Sequence, residues 1–144
     1  MVWDAVTTRR VTGQRDGQLD VRAVRAQVRE WVGPMESVDV DDLDLVVTEV
    51  VTNAVRHTAS GRDGGGVDVT VRTSAGRVRV EVLDDGGAAG APRFPDHNRP
   101  LGVDDFSAES GRGLVIVAGL ARAAGAEWIA GDGSAGRWGV WFEM

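Results

Sequence analysis

Leu43-Asp44-Leu45-Val46-Val47-Thr48-Glu49-Val50-Val51-Thr52-Asn53-Ala54-Val55-Arg56-His57 is the stretch on which the fold turns. Apolar residues at 43, 46, 47, 50, 51 and 54 follow the i, i+3, i+4 spacing of a helix lying on a core. Successive side chains turn by roughly 100°, so Glu49, Asn53 and His57 form a polar stripe along one edge of the apolar face. A carboxylate and a carboxamide at i and i+4 project side by side. Solvated faces carry charge anywhere, whereas this stripe hugs the buried border. Spacing alone leaves two readings open: a helix boundary with polar residues placed by chance, or one wall of a groove.

Before this helix, residues 2 to 11 alternate weakly and predict an opening strand, and Gly13 to Gly17 a turn. A first helix is expected from an Asp20 cap, with Val21, Val24, Val28 and Trp31 on one face, stopped by Gly33-Pro34. The acidic run Asp39 to Asp44 lacks the ligand spacing and the glycine of a calcium loop. Asp41 as N-cap and Asp44 near the third position of the central helix is the simpler reading. Beyond the helix, Gly61 to Gly66 forms a loose connection. Val67, Val69, Val71 and then Val78, Val80, Val82 alternate with polar residues around a Ser74-Ala75-Gly76 turn, which predicts a hairpin.

The second of these strands runs straight into Asp84-Asp85-Gly86-Gly87. Residues 87 to 110 show no periodicity and carry three of the four prolines, the mark of a lid or binding loop. Ser110-Gly111-Arg112-Gly113 opens an apolar helix from Leu114 to Leu120. Trp128 to Ala130 and Trp138 to Phe142 read as a closing hairpin around a Gly131 to Gly136 turn. The order β-α-α-β-β-loop-α-β-β predicts one α+β domain over residues 1–144. It is a two-layer α/β sandwich with helices on one face of a mixed, mostly antiparallel sheet.

At 144 residues, with 42% hydrophobic and 26% charged residues, the chain has the composition of one soluble domain. It has no bilayer-length apolar run and no signal-like N-terminus, so a cytoplasmic protein without membrane contact is expected. With no cysteine there is neither a disulfide nor a thiolate metal site. All 16 basic residues are arginine, which excludes a Schiff base and a Walker-A loop. The net charge of −6 and the lack of a basic tract argue against direct nucleic-acid binding.

Gly131, Gly133 and Gly136 match G-x-G-x-x-G letter for letter, but a strand follows where a dinucleotide fingerprint needs a helix. No G-x-S-x-G elbow is present. Asp84 after a strand is either a turn former or an acceptor in a pocket, beside glycines that let a flat ring approach. Gly111-Arg112-Gly113 either permits tight packing or presents free amides to an anion.

In order, Glu49-x-x-x-Asn53-Ala54, Asp84-x-Gly86 and Gly111-x-Gly113-Leu114 resemble the N, G1 and G2 boxes of the GHKL ATPase superfamily, the Bergerat fold. The likeness runs over nearly the whole chain, with an ATP lid at about 87–110. Within the superfamily, Thr48 to His57 and Glu109 to Leu114 are similar to anti-sigma factor serine/threonine kinases and their small relatives. A dimerisation helix with a phospho-accepting histidine has no room in 144 residues.

The resemblance implies ATP and Mg²⁺ as cofactors. Asn53 would hold the metal and bridge to the triphosphate, and Glu49 would orient or deprotonate the nucleophile. Asp84 would bond the adenine amino group and Gly86 would line its pocket. Gly111, Arg112 and Gly113, with Leu114 behind them, would cradle the phosphates. His57 is better read as satisfying the helix dipole. Two positions depart from the family pattern: Ala88 replaces the second glycine of the G1 box, and Gly139 stands where a threonine is usual near adenine. Both would loosen the nucleotide site. The implied function is a regulatory protein kinase that phosphorylates an anti-sigma-factor antagonist, or binds a sigma factor, and a homodimer is compatible with it. The alternative is a nucleotide-binding interaction module with little or no transfer.

Overall fold

Five strands form one sheet in the order β1-β4-β5-β7-β6, and every neighbouring pair is antiparallel. The computed structural model describes residues 2–88, 91, 92, 94, 109–130 and 136–144. The strands are β1 (Ala5–Val11), β4 (Val67–Ser74), β5 (Arg77–Leu83), β6 (Ala123–Ile129) and β7 (Arg137–Glu143); the helices are α1 (Val21–Val32), α2 (Val40–His57) and α3 (Glu109–Leu120). A small ladder of β2 (Gln14–Arg15) on β3 (Gln18–Leu19) occupies the expected turn after β1. The architecture is the expected α+β sandwich, but no parallel pair makes the sheet mixed among the described residues.

The valine alternation of the central hairpin has a simple physical outcome. Val67, Val69, Val71, Val78, Val80 and Val82 are all buried, as are Val140 and Phe142 of β7, so one face of the sheet carries the core. The helices cover that face. Leu43, Val46, Val47, Val50, Val51 and Ala54 of α2 are the buried positions of the helix, the same six that the periodicity selects. The other face stays partly open and is held by charge and aromatic contacts. Arg77 and Arg79 pair with Glu143 at 2.9 and 3.3 Å, and the Arg79 guanidinium lies 4.1 Å from the Trp141 ring centroid.

Three boundaries differ from the sequence reading. The N-cap of α2 is Asp39, not Asp41: one Asp39 oxygen accepts from the Asp41 and Asp42 amides at 2.9 and 3.0 Å. A single carboxylate therefore satisfies two orphan donors, and Val40 opens the helix although it is exposed. Asp44 lies one turn further in and pairs with Arg29 of α1 at 3.6 Å. At the other end, Thr58 closes α2, and a 3-10 turn, Ala59–Gly61, follows before the glycine connection.

The second difference is α3, which begins at Glu109 rather than Leu114. An acidic residue suits the positive end of a helix. The third is β6, which starts at Ala123, five residues before the expected Trp128. Its Ala-Ala-Gly-Ala opening carries no alternation to read. Gly125 there is needed, because a Cβ would sit 2.8 Å from the Trp141 indole. The strands β6 and β7 pair antiparallel, so the glycine-rich segment between them joins strand to strand. Residues 131–135 of that segment and most of the expected lid, 87 to 110, lie outside the described residues.

Candidate functional site

Asp84 follows the last residue of β5 and is 4% exposed, which makes it one of few buried acidic groups in the described core. Its Oδ1 accepts from the Gly86 amide at 2.7 Å and from the Trp138 amide at 3.3 Å, and its own amide donates to the Trp138 carbonyl at 3.0 Å. Among the described residues both accepted bonds fall on Oδ1. Burial pushes the Asp84 carboxyl above the usual carboxylate range, against the pull of the Gly86 and Trp138 amides and the Arg137 charge. Gly86 has φ 84° and Gly87 φ 82°, so the chain turns in the left-handed region that glycine tolerates.

This turn is tied directly to the end of α2. The Ala59 amide donates to the Gly86 carbonyl at 2.8 Å, and the Asp85 amide donates to Ser60 Oγ at 3.0 Å. Ser60 is fully buried, and its amide is held by Thr58 Oγ1 at 3.1 Å. Asp85 is gripped from the far edge of the sheet. Arg10 donates to both of its oxygens at 2.9 Å, and the Gly66 amide adds a third bond at 2.9 Å. Arg137 completes the frame, donating Nε to the Asp84 carbonyl at 2.6 Å and pairing with Asp68. Gly65 is small by necessity, since a Cβ would lie 2.4 Å from the Ser60 carbonyl oxygen.

Burial alone would raise the Asp85 carboxyl, but the Arg10 hydrogen bond, the Gly66 amide and the Arg10 and Arg137 charges outweigh it and hold the group below its ordinary value. A depressed carboxyl contributes stability that is present above its unfolded pKa and is lost as pH falls through the folded one. Asp84 has the opposite sign, because its raised pKa favours the fold below the carboxylate range and that contribution is lost as pH rises through the folded value. Asp85→Asn is therefore expected to cost about 1–2 kcal/mol at neutral pH. It should also flatten the loss of stability below about pH 4. Denaturant melts of the two proteins at pH 7 and pH 3 measure both effects; parallel pH curves would contradict the assignment.

Glu49 and Asn53 lie on α2, partly buried, at the border of its core face as the spacing predicts. His57 is exposed in the last helical turn, which suits the dipole reading. The helix α3 packs beside α2, and Leu114, 1% exposed, is part of the core. Gly111, Arg112 and Gly113 fall inside the first turns of α3 rather than before it. The first amides of a helix have no intrahelical partner; Gly111 falls among them, while Arg112 and Gly113 lie where intrahelical pairing begins.

Gly139 does not face Asp84. A Cβ on it would lie 3.6 Å from the Glu81 side chain, on the open face of the sheet, and the residue across from Asp84 is Trp138. Ala88 is partly buried just past the turn. The turn is framed by Ser60, Asp85, Arg10 and Arg137, none of which the sequence reading singles out. Asp-Asp-Gly after a strand was the only local sign, and it points to the turn without naming its partners.

Among the described residues no group of three or more His, Cys, Asp or Glu side chains could hold a metal. Magnesium usually keeps several waters and binds substrate phosphates with few protein ligands, so one side-chain oxygen such as the Asn53 carboxamide would be compatible with a metal held mainly by phosphates. Among the same residues no helix is long and apolar enough to cross a membrane. A family model described as "Histidine kinase-like ATPase domain" matches residues 16–134. The chain is 35% identical over 92 residues to the sensor histidine kinase component HK1 of Mycobacterium tuberculosis, covering 58% of this chain and 49% of that protein. It is 33% identical over 87 residues to the serine-protein kinase RsbW of Bacillus pumilus, covering 55% of this chain and 52% of that protein. The chain thus spans about half the length of these two relatives.

Proposed function

The chain belongs to the histidine kinase-like ATPase domain family, and from that premise we propose that it binds Mg-ATP between α2, the Asp84 turn and the start of α3, and transfers the γ-phosphoryl group to a serine of a partner protein. The observation that carries this reading is the Asp84 turn, which holds a buried carboxylate at the end of β5 and, through the Asp85 amide and the Gly86 carbonyl, is hydrogen-bonded to the segment that closes α2. The helix that bears Glu49 and Asn53 and the acceptor for an adenine amino group are thereby one rigid unit. Asp84 Oδ2 bonds the amino group, and Gly86 lets the ring lie against the backbone. Asn53 would hold Mg²⁺ through its carboxamide oxygen, and the ion would supply positive charge against the triphosphate. Amides of the first turn of α3 take the phosphates.

In the transfer, Glu49 takes the proton of the serine hydroxyl, the serine oxygen bonds to the γ-phosphorus, and the bond to the β-phosphate oxygen breaks to release ADP. Likeness to a serine-protein kinase supports serine as acceptor, and the resemblance of Thr48 to His57 and Glu109 to Leu114 to anti-sigma factor kinases points to an anti-sigma-factor antagonist, or a sigma factor, as the kind of partner. Incubating the chain with γ-labelled ATP and a candidate antagonist tests this: label on a partner serine, dependent on Mg²⁺, is the expected result. ATP bound without any label passing to partner or water would instead favour a nucleotide-gated interaction module. That second reading draws on Ala88 and on a tryptophan, rather than a small polar residue, across from Asp84.

A further inference from the structure

Asp84, Trp138 and Trp128 form a row across three neighbouring strands. Val82 pairs with Val140 and Leu83 with Gly139, so Asp84 comes opposite Trp138; the Asp84 amide donates to the Trp138 carbonyl, and the Trp138 amide donates to the Asp84 carboxylate. Trp138 pairs in turn with Trp128 of β6. Along β7, Trp138 shares its side of the strand with Val140 and Phe142, both buried under the helices. The carboxylate and the indole therefore stand on the same face, with Cβ atoms about 5 Å apart as for any directly opposed pair.

Neither indole belongs to the hydrophobic core. Their ring centroids are 5.1 Å apart with planes tilted by 59°, and Trp128 remains 54% exposed. Gly136 makes room for this arrangement, because a Cβ there would fall 2.0 Å from the Trp128 ring. A cross-strand tryptophan pair that merely staples the last hairpin would serve at any level of β6 and β7. This one lies at the level of the buried Asp84 carboxylate, on the helix-bearing side.

We propose that Trp138, braced by Trp128, is the stacking wall for the purine base whose amino group Asp84 accepts, so that aromatic stacking beside a hydrogen-bond acceptor sets base affinity at this site. The assignment rests on the nucleotide reading above. Stacking on an aromatic side chain is sequence-tolerant, since every base has a π-face. The Asp84 acceptor then supplies the preference for a 6-amino purine over a 6-oxo purine.

The test uses the full chain and Mg-ATP, read by calorimetry and by tryptophan fluorescence. ATP is expected to quench the wild-type emission. Trp138→Leu should weaken binding about 10- to 100-fold, Trp138→Phe should recover most of that loss, and Trp141→Phe, altered on the opposite face, should match the wild type. Melting curves establish that each variant is folded, and the Phe variant keeps the test valid if the Leu variant is not. ATP affinity in Trp138→Leu equal to or tighter than wild type, a Trp138→Phe variant that binds as weakly as Trp138→Leu, or a full quench without Trp138, would overturn the stacking role and leave the nucleotide reading standing. A wild-type chain that binds no ATP would overturn both.

Discussion

Glu49→Ala should bind Mg-ATP about as tightly as the wild type and transfer phosphoryl some 10²- to 10⁴-fold more slowly, the range a positioned general base contributes. The expectation follows from the place of Glu49 on α2. It lies one helical turn before Asn53, partly buried at the edge of the core face, on a helix fixed at its start by Asp39 and at its end by Thr58. A carboxylate so held is oriented without being consumed in an ion pair. No salt bridge to Glu49 is found among the described residues. Removing it takes away the proton acceptor but none of the groups assigned to base, metal or phosphates. Single-turnover transfer from labelled ATP, with binding measured separately, distinguishes the outcomes. Equal transfer by Glu49→Ala would remove the residue from the chemistry, whereas equal loss of binding and transfer would place it in the ground-state complex.

Asp84→Asn should give the opposite pattern: a folded protein with weakened binding. Asparagine keeps an oxygen for the Gly86 and Trp138 amides, so the turn retains both bonds. Its amide nitrogen then meets the adenine amino group donor to donor. A buried unsatisfied polar contact costs about 1–3 kcal/mol, which is about 5- to 150-fold in the dissociation constant for ATP. Stability should move the other way, because burial penalises the Asp84 carboxylate and the neutral amide is spared that cost. At neutral pH the variant should unfold at a temperature no lower than the wild type. Calorimetric titration and a thermal melt test the pair of effects together. Unchanged affinity would contradict the adenine contact, and a collapsed melt would show that the carboxylate is structural.

The parts of this fold that sequence makes readable are those with a period. The six buried positions of α2 and the six valines of the central hairpin recur at 3.6 and 2 residues, and burial follows them. The order of Glu49-Asn53, Asp84-Gly86 and Gly111-Gly113 is a further legible feature, since it resembles the family whose model matches residues 16–134. What sequence could not show is contact at a distance. Arg10 reaches Asp85 across 75 positions, and Arg137 reaches Asp84 across 53. In a chain with 16 arginines and 22 acidic residues, nothing local marks those pairs. The Asp39 cap is not legible because four acidic residues compete for the role between 39 and 44, and geometry alone selects among them. Gly139 was set beside adenine by position in a motif, but the pleat turns it to the other face and brings Trp138 across from Asp84.

That α2 and the Asp84 turn act as one nucleotide pocket is tested most directly by titrating the isotopically labelled chain with a non-hydrolysable Mg-ATP analogue and following amide resonances. The Gly86 and Trp138 main-chain signals and the Asn53 side-chain amide should shift together along one binding curve, and omission of magnesium should reduce the Asn53 response most. Saturation that leaves Asn53 unmoved while Gly86 shifts, or shifts in neither, would show that the helix and the turn do not share a ligand.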